Sequence, residues 1–241
     1  MATDQYNLCV KQECPFCVSF EYYLYRKMLP NYRPEDLEIC GTKNFVVLPD
    51  IAPLVEGHIL IISREHHLSM GSCGLFDELV KLKEHVQRMV SECYSQPIFF
   101  EHGSMKPKHC GSSIDHAHLH CLPLPIDLNK GIHSRVTRNT INRLHELDRY
   151  SERKQSYLYF ENVAHVQYSY SLDGAESTLP SQYLRQVIAV AAGLKNWNWH
   201  TIIADPALKT WNVKALIACI RKLRKCNKTK LINEIEKREI F

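Results

Sequence analysis

His116, His118 and His120 stand at alternate positions in the run His116-Ala117-His118-Leu119-His120-Cys121. On a β-strand successive side chains point to opposite faces, so the three imidazoles share one face, about 7 Å apart between next-but-one neighbours. Ala117, Leu119 and Cys121 then point the other way, into a core. A helix would not bring positions i, i+2 and i+4 to one side. Three imidazoles on a wet face suit phosphate chemistry, one as nucleophile and its neighbours as proton donors and orienters. The competing reading is a strand with three surface or metal-binding histidines.

A second reactive group lies at Cys14-Pro15-Phe16-Cys17. A Cys-x-x-Cys knuckle offers two thiolates to a tetrahedral zinc, which needs two more ligands. There is no second Cys-x-x-Cys, Cys9 is poorly spaced and Cys40 is followed by Gly41 alone, so histidines must complete such a site. A redox role lacks the βαβ context it would need. Asp50 opens a loop (50–56) between two apolar runs, Phe45 to Leu48 and Gly57 to Ser63, with His58 at the mouth of the second. Taken alone, a loop aspartate simply caps a turn.

These stretches together resemble the histidine-triad (HIT) superfamily of nucleotide hydrolases and transferases, in a longer bacterial-like branch with a C-terminal extension. His116 to Leu122 has the pattern His-φ-His-φ-His-φ-φ. Phe45 to His66 has an acidic residue after the first strand, a Pro-containing loop, Gly-His opening the next strand and a basic turn ending in His. Gly111-Ser112-Ser113-Ile114 matches a Gly-x-Ser-φ segment before the triad. The resemblance covers roughly residues 14 to 125; Met105 to His109 looks inserted, and Glu101 stands where many members carry asparagine.

The resemblance implies that His118 attacks the α-phosphorus of a nucleotide to form a covalent nucleotidyl-histidine. His120 would donate to a phosphate oxygen, with His116 as the third catalytic member. Asp50 would accept from ribose hydroxyls, a carboxylate being the natural acceptor for two vicinal donors. His58 would lie near the triad, and Glu101, Gly111 and Ser113 would contact the nucleotide. Arg185, in Ser181-Gln182-Tyr183-Leu184-Arg185, would be a phosphate clamp. In zinc-containing relatives the Cys-x-x-Cys pair is joined by a turn histidine and the first triad histidine, here Cys14, Cys17, His66 and His116, with His67 the competitor of His66. The implied partners are a nucleotide or nucleotide conjugate and, by sheet extension, a second copy of the chain. The alternative function is a non-catalytic zinc-stapled module that binds nucleotide or RNA through its basic C-terminal helix.

The elements that must position these groups follow from periodicity. Leu75, Leu79, Leu82, Val86, Met89 and Cys93 recur at steps of three and four, predicting a helix with one apolar stripe. Ile98 to Glu101 reads as a strand. Tyr157 to Phe160 and Val163 to Tyr170 read as a hairpin, and helices are expected from Pro180 to Gly193 and after Asp205-Pro206. The expected fold is α+β: an antiparallel sheet with the triad strand inside it and one long packed helix, as a catalytic domain (1–125), then a mainly helical extension (126–241) packed on it.

The 241 residues carry a formal charge of +4, compatible with an anionic small substrate but too weak to argue for nucleic acid. No run approaches the roughly 18 apolar residues of a membrane span. The N-terminus has no apolar leader, so the ten cysteines read as thiols or ligands and the cytoplasm is the expected compartment. No Gly-x-x-x-x-Gly-Lys phosphate loop is present.

Overall fold

The computed structural model describes residues 14–17, 23–105, 114–126, 128, 132, 136–172 and 179–239. Its elements, in chain order, begin with α1 (Tyr23–Met28), α2 (Pro34–Leu37), β1 (Cys40–Gly41), β2 (Phe45–Pro49) and β3 (Ile59–Ser63). The long helix α3 (Phe76–Cys93) leads to β4 (Ile98–Gly103) and β5 (His118–Leu122). Then come β6 (Thr137–Ile141), α4 (Asp148–Glu152), β7 (Tyr157–Glu161) and β8 (Gln167–Ser171). Helices α5 (Tyr183–Ala191), α6 (Trp199–Ala204) and α7 (Pro206–Glu239) complete the chain.

The eight strands among the described residues join one antiparallel sheet in the order β1-β2-β3-β5-β4-β7-β8-β6. The histidine-bearing strand is therefore interior, with β3 on one side and β4 on the other. The α+β class, the antiparallel sheet, the packed α3 and the mostly helical C-terminal region match the expectation. The hairpin of β7 and β8 differs from it. Rather than resting on the sheet it extends it, because β7 supplies backbone partners to the open edge of β4 from Phe99 to Gly103. Strand β6 has no apolar alternation to announce it, since Thr137 to Thr140 are exposed or half-buried.

Each face of the sheet has its own cover. Phe45, Val47, Ile61, Phe99, Leu119 and Cys121 turn toward α3, whose stripe of Leu79, Leu82, Val86, Met89 and Val90 is buried against them. Burial of each such side chain stabilises by about 1.5–3 kcal/mol. On the opposite face, Val46, Leu48, Leu60 and Ile62 pack with the Cys14–Cys17 segment, α1, α6 and α7. Farther along that face, Ile98, Phe100, Leu158 and Phe160 pack under α5. The two apolar clusters leave a polar gap between them, and the imidazoles lie there. Among the described residues no helix is long and apolar enough to cross a membrane.

Candidate functional site

Strand β5 starts at His118, so only His118 and His120 stand on it, while Ala117, Leu119 and Cys121 enter the core below. His116 precedes the strand, which departs from three rings standing in one row. Its ring turns toward the cysteine knuckle, where Nδ1 lies 3.2 Å from Cys14 Sγ and 3.8 Å from Cys17 Sγ. His116 Nε2–H donates to the Ser63 carbonyl at 2.7 Å, leaving Nδ1 with its lone pair toward the sulfurs. His66 Nδ1 lies 3.3 Å from Cys17 Sγ. The four ligand atoms of Cys14, Cys17, His66 and His116 all fall within 4.8 Å of one another, and His67 is not among them.

This cluster fits a structural zinc. Bond lengths of about 2.3 Å to sulfur and 2.0–2.1 Å to nitrogen in a tetrahedron set sulfur–nitrogen edges near ~3.6 Å, and the observed edges straddle that value. The His116 Nε2–H bond to a carbonyl is also the kind of outer contact that fixes the tautomer of a ligating histidine. A zinc held there would have two thiolates and two imidazoles as ligands, a closed shell with no place for substrate.

His118 and His120 line a cavity together with the polar side chains of Asp50, His102, Gln182 and Arg185 and with apolar ones that include Phe16, Ile51, Ile114 and Trp199. His118 Nδ1–H donates to the His116 carbonyl at 2.5 Å. A carbonyl only accepts, so in the neutral ring Nε2 carries the lone pair and faces the cavity. Burial pushes the His118 pKa down to about 4, only partly opposed by that hydrogen bond. The imidazole is neutral near pH 7, as a nucleophile must be.

His120 has the opposite tautomer, set from a distance. The Leu54 backbone N–H donates to His58 Nδ1 at 3.2 Å. Burial pushes the His58 pKa down to about 4, so its one proton sits on Nε2, 3.0 Å from His120 Nδ1. His120 accepts there, is itself kept neutral by burial, and carries its own proton on Nε2. Its ring lies flat on Phe100, with centroids 4.3 Å apart and an interplanar angle of 2°. Side by side, His118 offers a lone pair and His120 a donor.

Asp50 Oδ1 caps the Ala52 N–H at 2.8 Å, the turn role open to any loop aspartate. Its Oδ2 meets Arg185 Nη1 at 2.7 Å and lies 3.5 Å from both His58 Nε2 and His120 Nδ1. Burial alone would raise its pKa, but the Arg185 guanidinium, with His58 and His120, holds the carboxyl well below the usual range. Arg185 also donates to the Ala52 carbonyl (2.6 Å) and the Trp197 carbonyl (3.1 Å). The arginine expected to grip phosphate is thus tied to the aspartate expected to bind ribose.

Glu101 is not brought to the cavity. Its carboxylate accepts from the Met70 N–H (2.7 Å) and the Tyr157 hydroxyl (2.6 Å), on the face that carries Phe99 and α3. Strand alternation puts His102 in the cavity instead. Both His102 ring nitrogens are shielded from solvent and neither has a hydrogen-bond partner among the described residues, a condition that costs about 1–3 kcal/mol per group. Burial, with His118 nearby, pushes its pKa down to about 4. Gly111 and Ser113 lie outside the described residues.

A family model described as "Protein similar to CwfJ C-terminal" matches residues 4–137. None of the curated proteins compared with the chain matches it. Among solved structures, the chain is similar to a HIT-like protein involved in cell-cycle regulation from Bartonella henselae, at 17% identity over 49% of this chain and 83% of that one, TM-score 0.30. It is similar to yeast Ap4A phosphorylase Apa2 in complex with AMP, at 16% identity over 54% of this chain and 56% of that one, TM-score 0.36. A zinc-bound histidine triad family protein from Mycobacterium smegmatis matches at 17% identity over 69% of this chain and 99% of that one, TM-score 0.33.

Proposed function

The chain belongs to the family of proteins similar to CwfJ C-terminal, and with the site's chemistry as the further premise we propose that it is a nucleotide phosphohydrolase or nucleotidyl transferase. The observation that carries this reading is the hydrogen bonding of the two rings, His118 Nδ1 to a carbonyl and His120 Nδ1 to His58 Nε2, which assigns a lone pair to His118 Nε2 and a donor to His120 Nε2. His118 Nε2 attacks the α-phosphorus in line. The P–N bond forms as the bond to the leaving group breaks, and that group departs with the electron pair. Water or another acceptor then attacks phosphorus and gives up its proton to solvent, the P–N bond breaks and its electrons return to Nε2. Two substitutions of moderate difficulty replace a single hard one. His120 Nε2–H donates to a phosphoryl oxygen, and such preorganised donors are worth roughly 3–4 kcal/mol each in the transition state. Gly111 and Ser113 are assigned to the phosphate side and Asp50 to the sugar side.

Cys14, Cys17, His66 and His116 hold a zinc whose work is to pin the N-terminal segment beside β5. That assignment takes His116 away from the chemistry. Arg185 acts through Asp50, as a positioning residue. Residues 1–125 form the catalytic domain and 126–241 the extension, which completes the cavity through Gln182, Arg185 and Trp199. Since β7 already pairs with β4, a homodimer would need another surface. The compartment we assign is the cytoplasm. The rival reading, nucleic-acid binding through the basic helix, is not favoured. Arg224 in α7 is occupied by the Glu35 and Glu38 carbonyls, and Lys222 lies over the Tyr94 ring at 3.9 Å.

The test is mass spectrometry of the full chain after brief exposure to nucleoside 5′-phosphoramidates. A nucleotidyl adduct mapped to His118 supports the reading. Turnover by His118→Ala at the wild-type rate would remove it.

A further inference from the structure

His102 is a residue that no motif pointed to, and its surroundings leave its chemistry without an internal use. It follows Glu101 on β4, yet alternation sends the two side chains to opposite faces, Glu101 toward α3 and His102 into the cavity. Phe100 pairs with His120 across the β4–β5 ladder. The same register carried two residues on sets His102 level with His118. On the other flank β3 offers only the apolar Ile62 opposite His118. Within the sheet, His102 is thus the polar side chain that stands across from the nucleophile.

A ring enclosed in this way normally satisfies at least one nitrogen within the protein. Among the described residues His102 satisfies neither. Buried polar groups left unpaired at a cavity wall mark a place where a ligand supplies the partner. In an in-line displacement the attacking nitrogen and the departing atom lie on one axis, and the other phosphorus substituents lie around it. A donor beside the attacking ring therefore meets a non-bridging oxygen, whereas one opposite it would meet the leaving group. We infer that His102 is a substrate-contacting residue whose ring, turning toward the cavity as substrate enters, gives its N–H to a non-bridging oxygen of the phosphoryl group transferred to His118. The inference rests on the nucleotide reading above and adds a second imidazole donor, on a separate strand from His120. Burial, which keeps the ring neutral with its pKa near 4, leaves it one N–H to give without adding a charge that would repel an attacking imidazole.

The experiment is calorimetric titration of the full chain with AMP, GMP, CMP and UMP and with the four parent nucleosides, alongside thermal unfolding. In His102→Phe, affinity for the best-bound monophosphate falls about 10- to 100-fold, as for one lost hydrogen bond to a charged group. Affinity for the parent nucleoside does not change. The melting temperature stays level or rises, since an unpaired polar ring has become an apolar one. A merely structural histidine predicts the reverse, a lower melting temperature with the monophosphate preference intact, and that result overturns the inference. His102→Gln, which restores a donor, regains part of the lost affinity, while His102→Leu does not. This pair decides the matter even where His102→Phe fails to fold, and equal affinities in the two variants overturn it. Failure of the wild-type chain to bind any monophosphate overturns the parent reading as well and is recognisable because no variant is involved.

Discussion

His58 Nε2 lies 3.0 Å from His120 Nδ1, and the Leu54 N–H on the far side of His58 decides which of the two nitrogens holds the proton. A backbone amide in the Asp50 loop thereby sets the tautomer of a ring in the cavity. In His58→Phe this relay is gone and His120 is free to move its proton to Nδ1, where Asp50 Oδ2 can accept it. Nitrogen-15 shifts of His120 should report Nε2–H in the wild type and a shift toward Nδ1–H in the variant. Turnover should fall about 10- to 100-fold as the cavity donor is lost. An unchanged His120 spectrum would contradict the relay.

Removing the proposed nucleophile should separate chemistry from binding. His118→Ala should lower turnover by at least about 10⁴-fold, while a nucleoside monophosphate still binds, because the contacts proposed for Asp50 and His102 do not involve His118. Single-turnover kinetics and calorimetry on the same preparation read both quantities.

Arg185 and Asp50 form a buried ion pair at 2.7 Å between α5 and the loop after β2. Deleting one partner strands the other charge, at a cost of about 3–5 kcal/mol. Arg185→Met should lower the unfolding free energy by that order in denaturant titrations. The double variant Arg185→Met/Asp50→Asn should lose less than the sum of the two singles, the signature of direct coupling.

Glu101 predicts a pH dependence of stability. Burial pushes its pKa up to about 7 from an ordinary 4.5, so between those values the folded chain holds a proton that the unfolded chain has released. Stability is therefore full below the unfolded value, declines as pH rises toward 7 and levels off above it, a change of about 3 kcal/mol. Glu101→Gln should flatten this part of the profile. Denaturant midpoints measured from pH 4 to 8 (a range set by the two pKa values) read the difference, and an equal slope in both proteins would rule out Glu101 as its source.

Phe16, between the two cysteines, lies 5.5 Å from the His118 ring and lines the cavity. Metal at the knuckle and ligand in the cavity should therefore support each other. Elemental analysis should find roughly one zinc per chain in the wild type, as expected of a closed four-ligand site, and far less in Cys17→Ser. That variant should melt lower and bind nucleoside monophosphate more weakly. Equal affinity in metal-loaded and metal-free protein would break the link.

Much of the scaffold was legible because periodicity is a local property. The stripe from Leu75 to Cys93 marked α3, and the alternation from Ala117 to Cys121 placed three residues in the core. The knuckle's need for two more ligands pointed to histidines, and His66 and His116 stand there. The parity of β4 was not legible. Ile98, Phe99 and Phe100 are all buried, so the apolar run carries no alternation to show which face each residue takes. Nothing local separates Glu101 from His102 as the cavity residue. Strand β6, exposed and polar, gave no signal for the same reason in reverse.

What the amino-acid order determined by itself was which groups can react: imidazoles at alternate positions, a pair of thiols three apart, a carboxylate in a short loop. Spacings of two to four residues translate directly into faces of strands and helices. Tertiary structure alone decided which of those groups meet and in what protonation state. Arg185 reaches Asp50 across 135 residues of sequence, His58 reaches His120 across 62, and β7 closes the edge of β4. Each depends on the register and order of strands brought together by burial of both faces of the sheet. The water excluded in that burial is what keeps His118, His120 and His102 neutral.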